Sequence, residues 1–494
     1  MPTPTRALLA SCLLLGCGSG GAGTGASDSE FASSTSAASQ ASTTATTSTT
    51  ASTIEPTSAG PGTSVTTTAD TAHTADTSDT ANTSDTSDTT GGPDPAAPCA
   101  PLPPPAGRVV NVTPAQAGEL PTIVADAASG TTIALADGTY DMSAGALLHF
   151  VTPGVTLRSQ SGDRDAVVLD GNYGLGELAL ISASDITIAD ITLTRSFWHP
   201  IHVTGGAAAN VENTTIYNVR VLDPGQQGIK VNPSPEGFYA DHGLIACSSI
   251  ELTDSGRAQV KDNCYTGGID AHSAWGWTIR DNYVEGFWCE QGLSEHAIHL
   301  WVTCRDTLVE RNVIVDCGRG VGFGLGETGN GKTRVYPDEP CPGLSYVGHI
   351  DGIIRNNTVL ARRPELFASA AGFDSGIALE QACGAQVYHN TIASLQPPFT
   401  AIEYRWPNTS AILANNLATH AIKQRDGATA QLSNNLSDAP LSHFVDAPGG
   451  DLHLAADSPA IDAGAPLAPG LADDDQDGDP RDASPDIGAD ERVR

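Results

Sequence analysis

Asp281-Asn282-Tyr283-Val284 opens a series that Arg311-Asn312-Val313-Ile314, Asn356-Asn357-Thr358-Val359, His389-Asn390-Thr391-Ile392, Asn415-Asn416-Leu417 and Asn434-Asn435-Leu436 continue. A second step recurs between them as Gly228-Ile229, Gly268-Ile269, Ala297-Ile298, Gly320-Val321, Gly376-Ile377, Ala401-Ile402 and Ala421-Ile422. Short alternating strands at a period of roughly twenty to thirty residues predict an all-β solenoid of stacked rungs. Asn suits the turn because it tolerates left-handed backbone angles, and stacked amides can bond to one another and to the backbone. Such a coil brings residues far apart in sequence into columns.

Outward from this core, the amino terminus has a different composition. Residues 1–16 carry one basic residue, Arg6, and an apolar stretch from Ala7 to Leu15 that is too short to span a bilayer. Leu14-Leu15-Gly16-Cys17 resembles the lipobox of bacterial lipoproteins, which implies cleavage before Cys17 and its lipidation. A soluble secreted protein is the alternative. Residues 17–98 are mostly Ser, Thr, Ala, Gly and Asp, without the apolar side chains a core requires, and are expected to form a disordered linker. About 80 such residues give an r.m.s. reach of roughly 50 Å. The chain is thus expected to be exported and held at the bacterial cell envelope, touching the membrane through the lipid alone.

Residues 1–98 hold 9 of the 57 acids and 1 of the 24 Lys and Arg, so the remainder carries 48 acids against 23 bases, a net charge of −25. That balance excludes nucleic acid, which demands a basic face. It also opposes an anionic polysaccharide unless the binding cleft is locally basic or metal-bridged. Of the ten cysteines, eight lie at 99, 247, 264, 289, 304, 317, 341 and 383. An exported chain is expected to bridge some of them, and the absence of CxxC spacing argues against structural zinc.

Within each strand, neighbours alternate between faces. If the Ile of each Gly/Ala-Ile step points inward, one outward column reads His202, Lys230, Asp270, His299, Gly322, Ala378, Glu403 and Lys423. The other reads Thr204, Asn232, His272, Trp301, Gly324, Glu380, Arg405 and Arg425. With rungs ~4.8 Å apart and residues i and i+2 about 6.5 Å apart, Asp270, His272, His299 and Trp301 form one patch. Gly322 and Gly324 beside it leave room for a ligand on the backbone, and insertions near 325–349 and 362–375 are expected to wall the face into a cleft. The span from Ile229 to Ile269 admits an extra rung through Gly243-Leu244-Ile245-Ala246-Cys247, which would move Lys230 to roughly 10 Å from Asp270. Glu295, His296 and His299 have the residue types of a metal site, but strand alternation puts only His299 on the outer face.

Several segments resemble known proteins. Pro121 to Ala128 and Thr131 to Tyr140, a short helix and a first strand, are similar to the amino-terminal cap of right-handed parallel β-helices. Asp457-Ser458-Pro459-Ala460-Ile461-Asp462-Ala463-Gly464, the acidic run from Asp473 to Arg481, and Asp486-Ile487-Gly488-Ala489-Asp490-Glu491 resemble the closing motif of bacterial secreted β-helix proteins. The resulting organisation is a right-handed parallel β-helix over 107–445 and a carboxyl-terminal cap over 446–494. Asp473, Asp475, Asp477 and Asp479 alternate around Gly478 and suggest Ca²⁺, the one candidate cofactor; a solvated acidic turn is the alternative. Tyr265-Thr266-Gly267-Gly268-Ile269-Asp270-Ala271-His272, then Ile279 to Asn282 and His296-Ala297-Ile298-His299, resemble the core of mannuronan C5-epimerases. Asp270 and His272 match the first Asp and the His of their Asp-Pro-His-Asp motif, whereas Ala271 and Ser273 depart from it.

More broadly, the domain resembles the pectate-lyase-like lyases and epimerases of uronate polysaccharides. The resemblance implies removal of the C5 proton of a uronate, with its carboxylate neutralised by a cation. His272 would be the base, Asp270 its partner, and His299 or His296 the second proton-transfer group; Lys230 completes the catalytic set. Trp301, Arg319, Glu380 and Arg405 are the expected substrate contacts, with Trp301 stacked on a sugar. The partner implied is a polysaccharide, with a polyuronate as the candidate, bound by a monomer. A paired-carboxylate hydrolase at Glu380 and Glu403, and a non-catalytic glycan-binding or adhesion module, stay open as alternatives.

Overall fold

The computed structural model describes residues 99–492, apart from Asp262, residues 328–333 and Ser345. The signal-peptide and linker readings, with Cys17, lie outside the described residues. No helix among the described residues is long and apolar enough to cross a membrane.

Three long parallel sheets wind about one core, and each turn of the chain contributes a strand to each. One turn runs from Gly267–His272 through Thr278–Arg280 to Tyr283–Glu285, and the next begins at Ile298–Trp301. This is the expected parallel β-helix. Every turn sends at least one apolar side chain inward from each sheet. Ile229, Ile269, Ile298 and Val321 come from the first, Ile245, Ile279 and Val309 from the second, and Ile250, Val284 and Ile314 from the third, all fully buried. Stacking these identical positions removes apolar surface from water on three sides at once.

The Asn repeat sits at the corner between the second and third sheets. The residue with positive φ is not the ladder Asn but the one before it: Asp281, Arg311, Asn356, His389, Asn415 and Asn434. The Asn itself stacks. Asn282 Nδ2 donates to Asn312 Oδ1 (3.0 Å), and the chain of amides continues through Asn357, Asn390 and Asn416 to Asn435. Each amide also donates to a backbone carbonyl of the preceding turn, such as Ile279 O from Asn312 (2.9 Å).

Leu120–Ala125 is the expected helix, and its Leu120 and Val124 join the core. The carboxyl-terminal segment packs Phe444, Leu452, Leu454 and Ile487 against outward side chains of the third sheet, Leu360, Ala393 and Leu417. There the expected calcium site fails. Asp475 Oδ1 accepts N–H bonds from Asp477 and Asp479, and its Oδ2 accepts one from Glu491. Asp473 accepts from Gly470 N and Asp477 from His453, so Asp473, Asp475, Asp477 and Asp479 do not gather round a common point. The run is a hydrogen-bonded turn.

Disulfides join Cys99 to Cys247, Cys264 to Cys289 and Cys341 to Cys383, while Cys304 and Cys317 stay reduced in the core.

Candidate functional site

The register of the first sheet decides the site. Lys230 pairs with Asp270, Asp270 with His299, His299 with Gly322, and His272 with Trp301. No extra rung intervenes: Leu244–Ala246 belongs to the second sheet of the turn that starts at Gln227–Asn232. Lys230 and Asp270 are direct neighbours.

Asp270, fully buried, is the hub. Its Oδ2 receives Lys230 Nζ and, at 3.0 Å, the Tyr265 hydroxyl; its Oδ1 receives Trp301 Nε1 at 2.7 Å. Lys230 Nζ also lies 2.9 Å from Tyr265 Oη and 3.1 Å from His272 Nε2, and that nitrogen is 3.4 Å from Asp270 Oδ1. Burial alone would raise the Asp270 carboxyl, but the Lys230 ammonium, with His272 and His299, holds it well below the usual carboxylate range. His272 is pushed down to about 4, first by burial and then by Lys230, against the pull of Asp270. Its ring is neutral at neutral pH. Burial and the charge of Asp270 hold the Tyr265 phenol well above its ordinary value.

Tyr265 is missing from the outward columns because it precedes the strand. It comes from the turn that Cys264–Cys289 fastens, so a local staple rather than strand alternation aims it. Phe197 and Trp198, 37 % and 40 % exposed, also precede their strand. They stand at the same edge of the sheet, two rungs or roughly 10 Å before Gly267–His272.

Other expected roles are corrected by burial. Trp301, 4 % exposed, has its indole stacked on His299 (5.2 Å between centroids) and set edge-on to His272 (4.4 Å), which leaves no free face for a sugar. His299 is fully buried and cannot meet a substrate directly. Arg319 donates from Nε and Nη2 to Ser294 O, so its guanidinium is engaged inside the protein. Gly322 does not open a floor: a Cβ there would lie 2.6 Å from the His296 ring, which fills that space. At Gly324, φ +80°, the backbone of Glu380 approaches too closely for any side chain. The expected cleft is therefore filled by the patch itself, and of Lys230, Asp270, His272 and His299 only His272, with 20 % of its side chain exposed, reaches solvent appreciably.

Glu380 accepts from Gly326 N, and Glu403 pairs with Arg425 at 2.7 Å, so each carboxylate already has a partner and a paired-acid hydrolase finds no support. Arg405, one-fifth exposed, binds Asp426 at 2.8 Å. It lies on the same face three rungs beyond Trp301, about 14 Å away.

The two insertions stand at opposite ends of these strands. Arg334 holds Asp241 (2.6 and 2.7 Å) and Ser273 O, and Tyr336 bonds Thr303 O, just past the ends of the site strands. Pro364–Ala368 and the residues after it lie on the approach side, where Ala370 N donates to Glu290 O.

Glu295 and His296 also escape strand alternation, because the strand begins only at Ile298. The approach turn places both beside His299: Glu295 Oε2 lies 2.7 Å from His299 Nδ1, and the rings of His296 and His299 are 4.5 Å apart. The expectation that His299 alone would occupy this face is overturned.

No protein-family model and no curated protein matches the chain. Among solved structures it is similar to pectate lyase Pel9A, at 14 % identity and a TM-score of 0.46, over 78 % of this chain and 97 % of that one. An alginate lyase from Paenibacillus sp. str. FPU-7 matches at 18 % identity and a TM-score of 0.42, over 66 % of this chain and 100 % of that one. PfbA, a surface adhesin of Streptococcus pneumoniae, matches at 12 % and 0.39, over 62 % of this chain and 83 % of that one. These likenesses concern the course of the backbone.

Proposed function

We propose that the chain acts on a uronate polysaccharide by abstracting the proton at C5, as a lyase or an epimerase, at the bacterial cell envelope. One observation carries this reading: a buried Lys230–Asp270–Tyr265 cluster that reaches solvent through a neutral histidine, His272. A neutral imidazole accepts a proton, and a fixed carboxylate 3.4 Å away stabilises the imidazolium that forms. Lys230, the nearest cation, supplies positive potential where the uronate carboxylate takes up charge. Tyr265 and Trp301 hold the Asp270 oxygens in place. Phe197 and Trp198 offer exposed aromatic faces on which a sugar can stack, and Arg405 is the cation further along the face. His272 here is the catalytic residue, and Asp270, Tyr265 and Trp301 are positioning residues.

The burial of this cluster favours a second reading, a non-catalytic glycan-binding or adhesion module, in which the buried charges only stiffen the face. The full chain, incubated with alginate, pectate and glycosaminoglycans in D₂O, separates the two when the sugar H5 signal is followed by NMR. Loss of H5 is expected for one of these substrates, with a vinyl signal if the enzyme is a lyase. An unchanged H5 across the panel, with the protein folded, rejects the enzyme reading in favour of binding. Envelope anchoring has its own test: labelled palmitate is expected in the wild type and lost in Cys17→Ser.

A further inference from the structure

His299 Nε2 lies 3.0 Å from the carbonyl oxygen of Gly324, which can only accept. That bond fixes a ring proton on Nε2, so in the neutral ring Nδ1 carries a lone pair. That lone pair would face another acceptor, Glu295 Oε2, at 2.7 Å, and neither atom has a geometrically sound hydrogen-bond partner. Beside them, both ring nitrogens of His296 are buried without a partner. His296 and His299 are fully buried and Glu295 is 3 % exposed, so bulk solvent does not reach these atoms. Buried polar atoms left unmatched cost about 1–3 kcal/mol each, and here several meet in one place.

One ligand atom from each of the three side chains lies within 4.8 Å of the other two. We propose that Glu295, His296 and His299 form a buried site for one divalent transition-metal ion, of which Zn²⁺ is the reference. Two imidazoles and a carboxylate are a donor set for zinc and its neighbours rather than for Ca²⁺ or Mg²⁺, which take oxygen. The Gly324 carbonyl already orients His299 as an outer-shell partner orients a metal-bound histidine. The ion's charge joins that of Arg319, whose Nη2 lies 3.9 Å from Glu295 Oε2, in offsetting this carboxylate, and stands near Asp270, whose Oδ1 is 4.0 Å from His299 Nδ1. It ties the approach turn at 295–296 to the strand Ile298–Trp301 and so holds the base of the His272 patch.

The competing arrangement is a proton on Nδ1 and a simple ion pair with Glu295; it leaves both nitrogens of His296 without a role. Two other groupings of ligand types fit a metal less well. Cys99 and Cys247 near Asp281 are disulfide-bonded to each other, and His453 near Asp477 and Asp490 is half-exposed and already bonds Asp451 and Asp477.

The inference does not rest on the proposed reaction, and its test reads metal rather than turnover. The full chain is loaded with Zn²⁺ or Co²⁺, dialysed, and its metal counted per chain. One retained equivalent is expected, with visible Co²⁺ bands, a rise in Tm on loading, and affinity at least tenfold weaker in His296→Ala and Glu295→Gln. His453→Ala should keep the ion. A wild type that retains no stoichiometric metal, a His296→Ala variant that binds as tightly, or loss of the ion in His453→Ala each overturns the proposal. Should the variants misfold, an unchanged wild-type Tm on loading overturns it equally.

Discussion

Two columns of polar side chains run along this coil at the same rung spacing, and they resolve burial in opposite ways. At the corner between the second and third sheets, Asn282, Asn312, Asn357, Asn390, Asn416 and Asn435 repeat one residue, and each amide finds its partners in the turns on either side. On the outer face of the first sheet no single residue runs from rung to rung through the column. There Lys230, Asp270, His272 and His299 bring unlike charges together, and atoms of Glu295, His296 and His299 stay unmatched. A column that repeats one self-complementary group stabilises the coil, because every rung satisfies the next. A column that breaks the repeat concentrates desolvated charge and shifted protonation, which are the ingredients of a site.

The largest effect that would break this contrast lies at its hub. Asp270→Ala leaves the Lys230 ammonium buried and strips Tyr265 and Trp301 of their acceptor, so urea unfolding should show a loss of about 3–5 kcal/mol. A loss under about 1 kcal/mol would mean that water already reaches Lys230 and that the column is not desolvated.

In the ladder, Asn357→Ala removes the acceptor of Asn312 Nδ2 and of the Asn312 amide N–H, and a donor to Val309 O. The expected loss is about 2–3 kcal/mol by the same measurement. It should be accompanied by unchanged turnover, since the ladder sits at a corner remote from the first sheet's outer face. Turnover lost together with stability would show that the two columns are coupled.

The smallest effect is on pH dependence. The ladder has no titrating group, but His272 has a folded pKa of about 4 against 6.5 unfolded. Between those values the unfolded chain binds the extra proton, so this residue's contribution to stability is complete above about pH 6.5 and declines as the pH falls toward 4. His272→Asn should flatten the fall of Tm across that window relative to the wild type. An identical pH profile in both would show that His272 titrates as it does in the unfolded chain.

The ladder and the columns were legible in the sequence for one physical reason: strands alternate with a period of two and rungs repeat, so pattern fixes both face and register. That logic put His272 beside Trp301, and the structure's register agrees; it left Lys230 either beside Asp270 or one rung further off, and the register places it beside Asp270. It could not reach Tyr265, Glu295 or His296, which lie in the turns entering the strands, where no period governs direction. Nor could it show that outward is not the same as exposed. Trp301 and His299 point away from the core, yet neighbouring rings and the approach turns cover them. Gly322 looked like open floor because a sequence does not show which side chain from elsewhere will lie over it. The acidic turn at Asp473–Asp479 looked like an ion site because its backbone N–H groups, the actual partners of Asp475, are invisible in a string of letters.

The central claim is that the non-repeating column performs chemistry through its one solvent-reaching member. The measurement that addresses it most directly pairs turnover with glycan binding in His272→Ala, using the polysaccharide whose H5 the wild type removes. The account predicts that H5 loss stops while binding to the same polysaccharide is kept. If the variant still removes H5 at the wild-type rate, the patch around Asp270 is not the active site.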